Sequence, residues 1–106
     1  MKKINLTIKN NNKNIVINDV FIADTFFDKL KGLMFVKKEK SFNLLLKNCN
    51  SIHTCFMKFN LDVFCLDKNF NVIKVFREVK PFKFVFTVKN CKHILETACN
   101  SFSIFL

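Results

Sequence analysis

The sequence predicts a mainly β (α+β) fold: a small, barrel-like, strongly curved antiparallel sheet with one short helix near residues 26–33. Three observations lead to this prediction. Apolar residues alternate with polar ones near the N-terminus, polar turns separate several short apolar runs, and only one segment has helical spacing. The chain has 106 residues, half of them hydrophobic, which fits a single domain spanning 1–106 with one core.

The N-terminal segment predicts a β-hairpin. Ile4, Leu6 and Ile8 alternate with polar residues, which is the period of a half-buried strand. Residues 10–14 are almost all asparagine, and asparagine tolerates the left-handed backbone of turns. Residues 15–21 are then the second strand of the hairpin.

The next segment predicts the one short helix. Phe26, Leu30 and Leu33 recur at helical spacing. Thr25, with an acid three residues later, resembles the capping box that starts many helices. Gly32 stands where helices often end.

The rest of the chain predicts short strands joined by turns. The hairpin over 61–76 is the best supported, because residues 67–71 supply turn-forming Asp and Asn between two apolar runs. The predicted segments are a loop at 37–40, an apolar run at 42–46, a loop-like stretch at 48–54, an extended stretch at 55–59, strands at 61–66 and 72–76, a loop around Pro81, and short strands at 84–88 and 93–96.

The net charge of +10 suggests a nucleic-acid partner, but the type of basic residue weakens that interpretation. Lysine supplies 17 of the 18 basic residues, and Arg77 is the only arginine. Proteins that grip phosphates and bases favour the bidentate fork of arginine. The charge also forms no block of five or more like residues. We therefore do not expect nucleic-acid binding, and a basic nucleic-acid-binding domain is the second alternative.

The N-terminus and the cysteines predict a cytoplasmic protein. Met1, Lys2 and Lys3 are followed by no apolar segment, so we expect no signal peptide. The uncharged stretches are too short to span a membrane. The five cysteines, an odd number, are then expected to be reduced thiols.

Two cysteine–histidine clusters raise the question of metal or nucleophilic chemistry. Cys49, His53 and Cys55 lie within seven residues, and Cys91 stands two residues before His93. Zinc needs four such ligands, but the chain has no Cys-x-x-Cys pair. Cys55 and His53 would form a nucleophile and base only with a lowered thiol pKa, which nothing in the sequence indicates. We expect no metal and no cofactor, and we interpret the cysteines as packing residues.

Several short motifs share an order and spacing. They are Ala-Asp-Thr at 23–25, Leu-Lys-Gly-Leu-Met at 30–34, His-Thr-Cys-Phe-Met-Lys at 53–58, Leu-Asp-Val-Phe-Cys-Leu-Asp at 61–67 and Ile-Leu-Glu at 94–96. Over about residues 20–98 this arrangement resembles the domain of unknown function 192 family. The resemblance implies a compact, mainly β, barrel-like domain with little helix, and it brings no catalytic activity with it. Phe56 stands where relatives usually have tryptophan.

The resemblance selects six candidate ligand-binding residues. Acidic family positions are matched at Asp62, Asp67 and Glu96, and the densest family-matching segment contains His53, Phe56 and Lys58. If residues 53–58 form a strand, Phe56 and Lys58 share one side and can line a shallow site beside Asp62. The structural interpretation stays open: Asp67 can hydrogen-bond its own turn, and Asp62 can pair with loop amides or with Lys58.

The first functional hypothesis is a non-enzymatic binding or accessory module for a small polar ligand or a protein partner. The first alternative is a hydrolase-like enzyme that uses paired carboxylates among Asp62, Asp67 and Glu96. Fifteen phenylalanines are many for so small a core, so we expect some to be exposed. Exposed apolar patches mark partner surfaces, which suggests a protein partner or a homodimer.

Overall fold

The computed structural model describes residues 1–85, 88–99 and 101. The structure is mainly β, with short helices between the second and third strands. Its elements are β1 (Lys2–Asn10), β2 (Lys13–Ala23), α1 (Phe26–Lys31), a 3-10 helix (Lys38–Lys40), β3 (Asn43–Leu46), β4 (Ile52–His53), β5 (Leu61–Leu66), β6 (Val72–Val79), β7 (Phe84–Val85) and β8 (His93–Ala98). This confirms the mainly β prediction.

The predicted N-terminal hairpin is present. β1 and β2 pair antiparallel, with a register shift between Ile4 and Leu6. Asn11 and Asn12 form the turn with φ of 51° and 65°, which is the left-handed backbone that asparagine tolerates. Leu6 and Ile8 are buried, as their alternation predicts.

The predicted helix is also present and ends at Lys31. Thr25 is its N-cap, because the Thr25 hydroxyl accepts the backbone N–H of Asp28 at 3.1 Å. At the other end Gly32 has φ 48° and ψ −126°, a conformation that disfavours residues with a Cβ. The chain therefore turns at Gly32, and Leu33 enters the core instead of continuing the helix.

Six strands form one sheet in the order β1-β2-β3-β8-β5-β6. The prediction of an antiparallel sheet is wrong at one pair, because β2 and β3 run parallel from Val20↔Asn43 to Ala23↔Leu46. Parallel neighbours need a long return connection. Residues 24–42, which contain both helices, supply it.

The two ends of the sheet approach each other without pairing along their length. β1 and β6 are the outer strands, and a single bridge joins Lys9 to Asn71. The Lys9 N–H donates to the Phe70 carbonyl at 2.9 Å. Among the described strands no continuous ladder closes the sheet, so the barrel-like prediction is not confirmed.

The central strands are buried on both faces. Leu44, Val63 and Ile94 belong to one apolar cluster, and their sequence neighbours Phe64 and Leu95 belong to another. This is the alternation of side chains along a strand. All six residues of β5 and all six of β8 are buried, so polar residues on these strands are also inside the protein.

The predicted extended stretch at 55–59 is wrong, because these residues form turns. Phe56 has φ 61°, and the Met57 N–H donates to the Thr54 carbonyl at 3.2 Å. Thr54 is fully buried, and its hydroxyl donates to the Lys80 carbonyl at 2.7 Å and accepts the Lys83 N–H at 2.9 Å. These bonds fix the chain against the 80–83 loop and prevent a straight strand.

Four smaller differences complete the comparison. The 3-10 helix occupies most of the predicted loop at 37–40, and β6 extends to Val79. β4 falls within the predicted loop-like stretch and pairs with β7 as a separate two-stranded sheet. β7 covers the start of the predicted strand at 84–88, of which residues 86 and 87 lie outside the described residues.

Within the described ranges, no helix has the length and apolar character to cross a membrane.

Candidate functional site

The Asp62 carboxylate is enclosed within the protein and paired there. Its side chain is 1% exposed, and it lies 3.3 Å from the Arg77 guanidinium. Its other oxygen accepts the Glu78 N–H at 3.0 Å. Arg77 is the only arginine of the chain. The other 17 of the 18 Lys and Arg residues are lysines. The single arginine was therefore the feature of the sequence that could have indicated a buried carboxylate paired with a guanidinium.

Asp67 stabilises the turn between β5 and β6. Its carboxylate accepts the backbone N–H groups of Asn69 at 2.8 Å and Asn71 at 2.9 Å. Partial burial raises its pKa, but the hydrogen bonds from Asn71 and Asn69 outweigh that effect and hold the pKa below its ordinary value. This geometry supports the structural interpretation of Asp67.

Glu96 is buried in the core beneath the end of α1. It is 1% exposed, and its Oε1 has no hydrogen-bond partner among the described residues. A Cβ added at Gly32 would lie 3.2 Å from that oxygen, so the glycine leaves room for the carboxyl group. Burial raises the pKa of Glu96 to about 8, and the carboxyl is therefore largely protonated at neutral pH.

The three acidic candidates do not share one pocket. Val63 pairs with Glu96, so the two side chains lie on the same face of the sheet. Asp62 precedes Val63 and therefore faces the opposite side. Asp67 lies in the turn beyond the other end of β5. The geometry does not favour a pair of carboxylates acting together on one substrate.

His53 uses both ring nitrogens, and one of them connects β4 to the helix. Nδ1 accepts the Cys55 N–H at 3.1 Å, which leaves Nε2 to donate to the Leu30 carbonyl at 2.9 Å. The ring thus satisfies a carbonyl at the end of α1. With both nitrogens engaged by backbone groups, the imidazole is not aimed at the Cys55 thiol as a base.

Phe56 and Lys58 are exposed, and Phe56 is part of an aromatic cluster. Its ring stacks on Phe35 with centroids 5.4 Å apart and meets Phe82 edge-on at 5.4 Å. The Phe35 N–H also donates to the Phe56 carbonyl at 3.0 Å. The structure therefore brings Phe56 together with two other phenylalanines, whereas the Asp62 carboxylate is buried.

These contacts belong to a larger surface, which we call the aromatic face. Its side chains are between 49% and 80% exposed. A side chain of this size has about 200 Å² of surface, and weighting by the exposed fractions gives about 800 Å² of exposed apolar surface for the seven. The largest apolar patch on a monomer is typically about 300–600 Å². The aromatic face consists of Phe26, Phe27, Leu30, Phe35, Phe56, Phe82 and Phe84.

The aromatic face contains two depressions, which are separated by Leu30. The first, of about 390 Å³, lies between α1 and β4, and its walls include Phe26, His53 and Phe84. The second, of about 300 Å³, lies on the other side of Leu30 and has Phe35 in its wall. Because Leu30 lines both, the two depressions are adjacent.

Sequence reasoning missed most of the aromatic face. The spacing of Phe26 and Leu30 predicted the helix but not the exposure of its side chains, and α1 has no buried residue. A helix of six residues is too short to bury a continuous stripe. The adjacent pair Phe26 and Phe27 was the available signal, because neighbouring helical residues point in different directions.

The two buried cysteines have the properties of packing residues. All five are free, and Cys65 and Cys91 are buried. Burial, together with the neighbouring Cys91, raises the pKa of the Cys65 thiol to about 12, and burial also raises the pKa of Cys91. Such thiols stay protonated and are poor nucleophiles. Among residues 1–85, 88–99 and 101, no three His, Cys, Asp or Glu side chains are arranged to hold a metal ion.

The sequence matches a known protein family. The model of the domain of unknown function 192 (DUF192) family, described as "Uncharacterized ACR", matches residues 6–104. The UPF0127 protein PH1112 of Pyrococcus horikoshii is 34% identical over 94 residues, which cover 84% of this chain and 81% of that protein. The match begins within β1, earlier than the motifs indicated.

A solved structure has the same fold. The crystal structure of a protein of unknown function from Novosphingobium aromaticivorans superposes with a TM-score of 0.73. It covers 92% of this chain and 74% of that one at 15% sequence identity. The likeness extends over almost the whole chain.

Proposed function

The chain belongs to the DUF192 family, and we propose that it is a non-enzymatic binding module that holds another protein against its aromatic face. One observation carries the proposal: seven large apolar side chains are exposed together and connect through ring contacts and shared depressions. Their surface of about 800 Å² equals one partner's share of a standard protein–protein interface.

Aromatic side chains support a protein partner more than a small polar ligand. The depression between α1 and β4 is lined mainly by apolar groups, and both nitrogens of its histidine are already bound to backbone. Phenylalanine is among the residues enriched in protein interfaces. A polar ligand would find few unsatisfied groups to recognise there.

The five free cysteines support cytoplasmic location for this module. Two of them, Cys65 and Cys91, are neighbours in the core and are not joined. Unpaired thiols persist in reducing compartments. We therefore propose that the partner is also a cytoplasmic protein.

Photo-crosslinking tests the proposal. The full chain carries a photoreactive phenylalanine analogue at position 27, and a matched chain carries it at position 16, where Val16 is 61% exposed on β2. Each is illuminated in an extract of its own cells, and adducts are identified by mass spectrometry. We expect a discrete protein adduct from position 27 and not from position 16.

A second substitution links that adduct to the aromatic face. Leu30→Ser should reduce the yield about fivefold or more, since truncating an interface anchor costs more than about 1 kcal/mol. Val16→Ser should leave it unchanged. Equal labelling from positions 16 and 27 would contradict the proposal. Native mass spectrometry gives a separate test. A small molecule that stays bound to the wild type but not to Leu30→Ser would show that the aromatic face binds a ligand instead of a protein.

A further inference from the structure

The charges around the two depressions are of one sign. Lys29 lines the first depression and Lys31 lines the second. In the described part of the chain, no acidic side chain lines either of them. The acids at the start of α1, Asp24 and Asp28, line a separate depression beside Lys2. Lysines are therefore the only Lys, Arg, Asp or Glu side chains that line these two depressions among the described residues.

This charge pattern disfavours a second copy of the chain as the occupant. Two aromatic faces in contact would bring the Lys29 and Lys31 ammonium groups of each copy towards those of the other. Each copy also carries a net charge of +10. Like charges brought together at an interface cost several kcal/mol, whereas opposite charges speed association and select the partner.

The shape of the surface disfavours a flat bilayer. The two depressions, of about 390 and 300 Å³, lie on opposite sides of the half-exposed Leu30 ridge. Concave sites of this size accept separate bulky groups. A peptide with apolar side chains spaced along one side fits such paired pockets, as helices do in hydrophobic grooves.

We propose that the partner presents an acidic segment with two bulky apolar side chains, one for each depression, and carboxylates opposite Lys29 and Lys31. This inference rests on the proposed function and adds the chemistry of the partner. Leu30 separates the two apolar side chains and so fixes their spacing. The lysines select acidic neighbours and exclude basic ones.

Selection from a displayed library of random 16-residue peptides against the full chain tests this inference. Selected peptides are synthesised, and their dissociation constants are measured by fluorescence anisotropy. We expect bulky apolar pairs flanked by Asp or Glu. Lys29→Glu with Lys31→Glu should weaken binding about tenfold, as reversal of two rim charges does. The matched control, Lys9→Glu with Lys13→Glu on the hairpin, changes net charge equally and should have little effect.

The outcomes separate this inference from the proposed function. Replacing the acids of a selected peptide by lysine should restore its binding to the Lys29→Glu, Lys31→Glu chain. Peptides that need Leu30 but show no acidic preference would overturn the partner chemistry and leave the aromatic face as a protein-binding site. Peptides insensitive to Leu30→Ser, or no selected peptides at all, would overturn both. Binding instead to phosphatidylserine vesicles, lost in Phe27→Ser, would assign the face to a membrane.

Discussion

Two regions of the molecule reverse the usual placement of polar and apolar side chains. Strands β5 and β8 enclose the carboxyl groups of Asp62 and Glu96 at 1% exposure. Helix α1, in contrast, exposes Phe26 at 80% and Phe27 at 70%. The buried carboxyls are tolerated because one is paired with a guanidinium and the other is protonated. For the Phe26 and Phe27 rings no such compensation is found among the described residues, which is why we assign them to a partner.

The largest expected effect concerns Glu96 and the pH dependence of stability. Its pKa in the folded chain, about 8, lies above its ordinary value of 4.5. Between these values the folded chain holds a proton that the unfolded chain has lost. The contribution of protonated Glu96 to the free energy of unfolding is therefore complete below pH 4.5. It declines as the pH rises to 8, by up to about 1.4 kcal/mol per pH unit.

Glu96→Gln should remove this decline, because glutamine keeps the shape of the side chain and does not ionise. At pH 8 the variant should exceed the wild type in free energy of unfolding by about 4 kcal/mol, and near pH 4.5 the two should be similar. Urea denaturation at several pH values measures the difference. Since His93 titrates in both proteins, the difference isolates Glu96. Parallel curves for the two proteins would show that Glu96 ionises normally.

One substitution made at two positions compares the regions directly. Phe64→Ala in β5 removes a fully buried ring and should lower the free energy of unfolding by about 4 kcal/mol. Phe27→Ala on α1 removes a ring that is 70% exposed and should change it by less than about 0.5 kcal/mol. Urea denaturation at constant pH gives both values. A large loss from Phe27→Ala would mean that this ring stabilises the fold rather than serving a partner.

The parts of the fold that could be predicted from the sequence are those set by local chemistry. The alternation of Ile4, Leu6 and Ile8 and the asparagine turn gave β1 and β2, and the turn at Asp67 gave β5 and β6. The parallel pairing of β2 with β3 depends on contacts far apart in the chain, which no local pattern encodes.

The grouping of the candidate residues in space could not be predicted for a related reason. Residues 55–59 contain no Gly, Pro or Asn, yet Phe56 has a left-handed backbone because Thr54 is bonded to Lys80 and Lys83. Without that turn, Phe56 could not be expected beside Phe35 and Phe82. Only Phe56 among the six predicted residues belongs to the aromatic face, and His53 borders it.

The smallest expected effect comes from Asp67, a carboxyl whose pKa shifts in the opposite direction from that of Glu96. Hydrogen bonds from Asn69 and Asn71 hold its pKa below the ordinary value of 3.8 in the folded chain. Its stabilisation is therefore present above pH 3.8 and is lost as the pH falls through the folded-state pKa.

Asp67→Asn should cost about 0.5–1 kcal/mol at pH 7, because the amide oxygen still accepts backbone N–H groups but without charge. At pH 2.5 the gap to the wild type should be smaller than at pH 7, because the wild-type carboxyl gains a proton as the pH falls through its folded-state pKa. Urea denaturation at these two pH values measures the gap. If the gap is the same at both, the charge of Asp67 does not stabilise its turn. The structure indicates that Asp67 stabilises the fold as an anion and Glu96 as a neutral acid. Equal gaps at the two pH values would contradict that difference.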